Sequence, residues 1–431
     1  MDRTADSITP RRSGWLWVPT LYFAEGLPYM VVMTVSAIMY KRFGLSNAEL
    51  AFYCSLLSLP WVIKPFWSPL VDIYSSKRRW IIAMQVLMAA AFAAVAVALP
   101  GHAWFKASAA SFMAVAFFSS THDIAADGFY MLALDSRRQS YFVGIRTTAY
   151  RLAMIAGQGP LVMLAGWLEV YCDDIPQAWS TVFFVLSALF VLLSAFHLFA
   201  LPKPAADALR HVRSAREAIR EFADTFRTFF TKPHIAAALL FMLFYKFPEA
   251  QLQRLITPFL QDPVSSGGMG LSTLQVGVTY GVIGLVGLMA GGIAGGFTVA
   301  RGGLRRWMMP MAWSMSLTCL AFVWLSYSPS PSQLEIDLCV LLEQFGYGFG
   351  TTAYTLYLIY FSKGDRSTSY YAIATGIMSL GMMLPGMLAG WIQKSVGYGL
   401  FFVWTVLCCA VTIAVAKAVT GHIESAPDLQ E

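Results

Sequence analysis

A chain of 431 residues with 57% apolar and only 13% charged residues, at a mean hydropathy of +0.59, is too poor in polar surface to be a soluble domain and reads as a polytopic membrane protein. Its net charge of +6 comes from basic residues between apolar stretches and gives no case for nucleic acid as a partner. Six cysteines, all but Cys172 inside apolar stretches, form no disulfide framework, and no two histidines share a helix face, so neither metal nor cofactor is expected.

Crossing about 30 Å of hydrocarbon takes about 20 helical residues. Twelve stretches have that length, approximately 15–40, 48–72, 80–100, 107–132, 141–168, 179–200, 234–260, 273–298, 306–328, 336–361, 368–391 and 397–418. Barrel strands alternate over short windows, whereas these stretches are apolar almost throughout. The first is too long for a signal core and lacks a small-residue cleavage site, so Met1 is the expected start. With the N-terminus inside, twenty-one basic residues fall in cytoplasmic segments and four outside, which places both termini in the cytoplasm.

Span one carries Glu25 about 15 Å deep, beside Gly26 and Pro28, which loosen the helix. A charged side chain at that depth costs roughly 2.5–3.5 kcal/mol, so it must pair, meet water or handle cargo. Span four carries His122, Asp123 and Asp127, the two acids one turn apart on one face. Span five carries Arg146 and Arg151 at depths that match Asp127 and Asp123 respectively, which predicts a ladder of ion pairs between the two spans. A buried carboxylate beside an arginine is poised to take and release a proton, and His122 stands next to it as a tuning or relay group. Gly157-Gln158-Gly159-Pro160 in span five predicts a bend.

Residues 201–233 form the one long polar segment. Charges recur at helical spacing from Arg213 to Arg227 opposite Ile219, Phe222, Phe226, Phe229 and Phe230, which predicts an amphipathic helix lying at the membrane surface. Six spans, a connector and six more spans make a two-half transporter layout, with halves 1–200 and 234–431.

In the second half, span seven carries Lys246 and Glu249 around Pro248, and span ten carries Glu343 and Gln344. Interrupted helices at equivalent positions of the halves point to a central site, so Glu25, Lys246 and Glu249 are expected cavity residues, with Tyr22, Tyr150, Tyr245, Trp61, Glu343 and Gln344 as wall residues. The glycine runs Gly291, Gly292, Gly295, Gly296 and Gly346, Gly348, Gly350 predict close helix packing.

After span eight, Gly296, Arg301, Gly303, Arg305 and Arg306 resemble the G-x-x-x-D-R-x-G-R-R pattern of the major facilitator superfamily, with Ala300 in place of the acid. After span two, Asp72 keeps the acid, and Lys77, Arg78 and Arg79 follow. The two copies sit at equivalent helix ends, and Asp72, Arg78, Arg79, Arg301 and Arg305 are the expected gating residues.

Further segments resemble the AmpG-like muropeptide permeases of that superfamily, a family related to acetyl-CoA transporters and siderophore permeases. They are Tyr22-Phe23-Ala24-Glu25-Gly26-Leu27-Pro28, Pro65-Phe66-Trp67-Ser68-Pro69-Leu70-Val71-Asp72, Thr121-His122-Asp123-Ile124-Ala125-Ala126-Asp127, Tyr150-Arg151-Leu152, Tyr245-Lys246-Phe247-Pro248-Glu249-Ala250, and Glu343 through Thr351. His122 stands where the family commonly has Gln, and Glu249 where it has Asp. The resemblance implies an all-α fold of twelve transmembrane helices in two pseudo-symmetric halves, a monomer in a bacterial inner membrane. It also implies proton-coupled import of a cell-wall-derived sugar or muropeptide, with Asp123, Asp127, Arg151 and His122 handling the proton. Uptake of a siderophore or other amphipathic metabolite is the alternative, and a transport-dead sensor signalling through residues 202–233 the alternative of another class.

Overall fold

The computed structural model describes residues 14–134, 136–204, 207, 215–363 and 367–423, and among them every regular element is a helix. The helices are α1 (Gly14–Arg42), α2 (Asn47–Leu56 and Leu59–Tyr74), α3 (Lys77–Ala98), α4 (Trp104–Ala133), α5 (Ser136–Ala156, continuing to Cys172) and α6 (Ile175–Ala200). The connector forms α7 (Ala215–Phe230). There follow α8 (Ile235–Gln261), α9 (Thr273–Gly302), α10 (Leu304–Tyr327) and α11 (Gln333–Phe361). The last stretch, Ser367–Thr420, is bent at Gly397, whose φ of 77° only glycine adopts easily, into α12 before it and α13 after it.

Nine helical stretches are long and apolar enough to cross a membrane, the bent pair counted as one. Helices α4 and α11, 30 and 29 residues long, have matching length but carry polar insertions in the middle. With these two, and with the bent pair divided, the described residues cross the bundle twelve times.

The local sequence explains where helices start. Ser46 with Glu49, Ser272 with Gln275 and Ser332 with Glu335 form reciprocal capping boxes, while Asp174 caps α6 ahead of Pro176 and Ser76 caps α3. Between α9 and α10 the chain turns on Gly303 at φ 74°, the glycine of the repeated pattern. Three π-helical turns interrupt the long helices, at Val31–Val35 in α1, Gly157–Leu161 in α5 and Thr279–Gly284 in α9, and α8 breaks at Lys246, just ahead of Pro248.

The apolar core shows how the two halves meet. At the end of the bundle carrying the 43–46 and 262–272 loops, one continuous cluster joins Val35, Leu50, Phe92 and Phe183 of the first half to Leu255, Phe259, Phe322 and Phe402 of the second. At the opposite end, which carries α7, the core divides. One cluster there belongs to the first half, around Trp17, Tyr22, Phe129 and Phe142, and the other to the second, around Phe241, Met311, Tyr354 and Tyr370. The halves are therefore fused at one end and parted at the other.

Helix α7 lies across the parted end. Phe229 is buried against Phe361 and Tyr370, with ring centroids 5.7 and 5.9 Å away, and Phe226 meets Phe66 of α2 at 5.8 Å. Just beyond it, Lys232 donates to the carbonyls of Phe361 (2.6 Å) and Lys363 (2.8 Å), closing the C-terminus of α11. Burial lowers this amine from its usual range.

Candidate functional site

Two polar clusters sit in the middle of the bundle, one in each half. In the first, Asp127 accepts from Arg146 at 2.8 Å and from the Tyr22 hydroxyl at 3.1 Å. The Arg146 guanidinium lies over the Tyr22 ring at 4.4 Å and the Tyr130 ring at 5.4 Å. This is the ion pair that the matched depths of α4 and α5 predict. Its members are 42% and 31% exposed in their side chains, because they face the parting between the halves.

The second rung is built differently. Asp123 takes the Trp61 indole N–H at 3.1 Å and approaches Lys64 at 4.0 Å, both from α2. Arg151 lies elsewhere, with its guanidinium beside Gly292 of α9 across the parting, and among the described residues it has no ion-pair or hydrogen-bond partner. Glu25 is buried one helical turn from Tyr22, with one carboxyl oxygen that no donor reaches. Tyr150 packs its carbonyl and ring edge against Gly26, where α1 and α5 approach too closely for any side chain.

His122 belongs to a different neighbourhood. Its Nε2 contacts the Gln85 amide at 3.0 Å, Gln85 Oε1 meets His197 Nδ1 at 3.0 Å, and His197 Nε2 meets Thr20 Oγ1 at 3.1 Å. This chain of bonds ties α4, α3, α6 and α1 together inside the first half, with both imidazoles fully buried.

In the second half, Glu343 accepts from the Gln253 amide (3.2 Å) and from Gln344 (2.8 Å), and Tyr280 donates to Gln253 at 2.7 Å. Glu249 accepts from the Cys319 thiol at 3.2 Å. Lys246, freed by the break in α8, reaches the Tyr347 hydroxyl at 3.4 Å and lies over the Tyr347 and Tyr354 rings. Arg254 crosses to the first half and donates to the Met33 carbonyl at 3.3 Å, inside the π turn of α1. Tyr245 lies within the second half, stacked on Tyr354 and donating to the Gly350 carbonyl at 3.1 Å.

At the fused end Lys41 and Asp262 form an ion pair at 2.6 Å. Asp262 also accepts from Tyr398 (2.6 Å) and Asn47 (3.2 Å), and Asn47 contacts Gln393 at 2.9 Å. Glu169 joins Arg42 (3.0 Å) and Trp179 (2.8 Å) of its own half to Thr273 (2.9 Å) of the other. Backbones touch beneath this layer. A Cβ on Gly390 would lie 2.1 Å from the Asn47 carbonyl oxygen, and one on Gly281 2.1 Å from that of Gln158. None of these latch residues stands out in the sequence, where each is one polar residue near a span end.

Of the expected gating residues, Arg78 is held within its own half. Arg78 donates to the Leu198 and Leu201 carbonyls at the end of α6, and its backbone N–H, with that of Lys77, is held by Asp207. Arg79, Arg301 and Arg305 are exposed. The side chain of Asp72 lies outside the described residues.

Five of the seven glycines in the two runs pack as expected, whereas a Cβ on Gly296 would meet nothing within 4 Å and one on Gly292 would only touch the Arg151 guanidinium and the Gly348 carbonyl oxygen at 3.7–4.0 Å. Gly346 and Gly350 face α10 at Thr318 and Met315, Gly348 faces Leu288 of α9, and Gly291 and Gly295 return the contact against Phe345 and Thr352.

A multi-pass helical bundle whose halves are fused at one end and parted at the other, with charged side chains in the parting, defines a membrane transporter. The chain belongs to the Major Facilitator Superfamily, whose family model matches residues 20–386. Among curated proteins it is 25% identical to the Putative transporter AmpG 4 of Rickettsia conorii over 400 residues, 90% of this chain and 92% of that one. It is 26% identical to the Anhydromuropeptide permease of Escherichia coli K12 over 400 residues, 90% of this chain and 75% of that protein. A solved D-xylose-proton symporter superposes with a TM-score of 0.71 at 13% identity, covering 96% of this chain and 97% of that one, which speaks to the fold alone.

Proposed function

We propose that this chain is an inner-membrane importer of cell-wall-derived anhydromuro-sugars or muropeptides, working by alternating access and coupled to protons. The α7 end and both termini are cytoplasmic in this reading, so the arrangement is inward-facing, closed toward the outside by the Lys41–Asp262 layer. The observation that carries the reading is the parting itself. It runs between the halves and exposes Arg146, Asp127 and Lys64, with Arg151 beside Gly292 and without an ion-pair partner among the described residues. A muropeptide combines sugar hydroxyls with carboxylates. Arg146, Arg151, Lys64 and Lys246 supply cations for the carboxylates, and Trp61, with Tyr29 edge-on to it at 5.1 Å, and Tyr347 supply aromatic surface for the sugar rings. The similarity to the Escherichia coli permease over 90% of the chain supports the cargo class.

Asp123 and Asp127 hold the first-half cations in place, and Glu25 lies beside them. Rocking of the halves about the centre exchanges the Lys41–Asp262 closure for one at the α7 end, where Asp72, Arg78, Arg79, Arg301 and Arg305 lie. The test is uptake of labelled GlcNAc-anhydroMurNAc and its peptide forms into proteoliposomes, with and without an inward proton gradient. Accumulation above the external concentration only with the gradient is the expected result. Folded, correctly oriented protein that takes up none of these compounds sinks the cargo assignment and redirects the search to siderophores.

A further inference from the structure

We propose that Glu249 and Glu343 share one proton and that this pair is the carrier's proton site. The proposal rests on the reading of the chain as a proton-coupled carrier. Glu249 is near the middle of α8, and Glu343 is about 15 Å from the outer start of α11, so both are at mid-membrane. Both are 0% exposed. Their carboxyl groups meet in a hydrogen bond, and a bond between two carboxyls requires that one of them carry a proton.

The remaining donors leave the same gap. Glu343 has one amide on each oxygen, from Gln253 and Gln344. Glu249 has the Cys319 thiol on Oε1 and shares the Gln253 amide with Glu343, whereas its Oε2 is buried and no donor among the described residues bonds it. The missing donor is the proton. Two carboxylates in contact cannot both ionise unless a cation or water enters between them.

Among the described residues no cation forms an ion pair with either acid. Lys246 and Arg254 share α8 with Glu249; the charge of Lys246 is felt at Glu249, but its amine bonds the Tyr347 hydroxyl and Arg254 bonds the Met33 carbonyl. The other titratable groups facing the pair are Cys319 on α10, Tyr280 on α9, Tyr347 on α11 and Tyr245 on α8, all neutral as thiol or phenol. In the first half, by contrast, Asp127 has Arg146 and Asp123 has Lys64. Each of those acids has a cationic side chain within 4.0 Å, and among the described residues neither acid of the second-half pair does.

The step is a simple ionisation. The O–H bond of the bridging acid breaks, the proton leaves on water as hydronium, and two carboxylates remain, solvated by the water that entered as the helices parted. The reverse step loads the site from the other side. Anionic cargo drawing Lys246 away from the pair favours the loaded form, which couples cargo to proton.

The experiment uses full-length wild type, Glu249→Gln and Glu343→Gln reconstituted in lipid, with two readouts. Infrared difference spectra at neutral pH report the carbonyl stretch of a protonated carboxylic acid. Either substitution is expected to remove the band, because the surviving carboxylate gains an amide donor and ionises. Gradient-driven accumulation of the labelled sugar then falls to the level reached without a gradient. A band that persists in both variants, or gradient-driven accumulation that survives in both, overturns the proposal. If wild type carries none of the sugars, the transport reading fails while the infrared result still decides whether the pair holds a proton. Both substitutions keep size and shape, and should one fail to fold the other carries the test.

Discussion

Lys41 at the end of α1 and Asp262 at the end of α8 come from equivalent helices of the two halves and meet at 2.6 Å, with Asn47 and Tyr398 bonded to the same carboxylate. A hydrogen bond to a charged group contributes roughly 1.5–3 kcal/mol, so this layer favours the arrangement closed at this end. Asp262→Ala removes the acceptor that all three donors share. The expected outcome is a shift of about 2 kcal/mol, roughly thirtyfold in population, toward the opposite arrangement. Spin labels on the 43–46 and 262–272 loops would read it as a longer inter-label distance, and an unchanged distance distribution would show that the apolar core beneath holds the closure unaided.

Gly281 reaches the Gln158 carbonyl so closely that a methyl group would lie 2.1 Å from the oxygen. Both partners are backbone within π turns, so neither can turn aside. Gly281→Ala is expected to leave each half folded and prevent this end from closing, with overpacking of about 1–3 kcal/mol or more against the closed state. Transport falls at least about fivefold, as that penalty implies, while thiol reagents gain access to cysteines placed at the 262–272 loop. Normal transport by this variant would mean that α5 and α9 do not need to meet.

How much of this is legible in the sequence depends on whether the information lies along one helix or between helices. Asp127 with Arg146 is readable because depth along two consecutive spans can be counted from their ends. Asp123 is not, because Lys64 reaches it from α2, and no periodicity states which third helix packs against a pair. Gly346, Gly348 and Gly350 are readable as packing because small residues in an apolar helix have few other uses. Cys319 reads as inert packing, yet it donates to Glu249, and only the α8–α10 contact reveals it. The closure at Lys41 and Asp262 is invisible for the same reason, since each residue alone looks like a charge at a helix end.

His122 separates a relay from a structural network. Its bonds run to Gln85 and on to His197 and Thr20, and those residues hold four helices of the first half together. His122→Ala leaves the buried Gln85 amide without that partner, a loss of about 1–3 kcal/mol. The midpoint of thermal unfolding in detergent is expected to drop, while uptake per folded molecule keeps its dependence on the proton gradient. Loss of gradient dependence at unchanged stability would instead make the imidazole part of the proton path.

Asp127→Asn and Asp123→Asn test the first-half cluster against the second-half carboxyl pair. Asp127 and Arg146 are part-exposed, so their pairing contributes at most about 1 kcal/mol to stability, and the Tyr22 and Tyr130 rings still hold the guanidinium when the charge on Asp127 is removed. The protein is therefore expected to fold with the cations displaced from the positions cargo requires. Gradient-driven uptake and counterflow should fall together in both variants, since binding underlies both. A variant of Asp123 that abolishes gradient-driven uptake and leaves counterflow intact would move the proton site to α4, because only a group that carries the transported proton can be lost without loss of exchange.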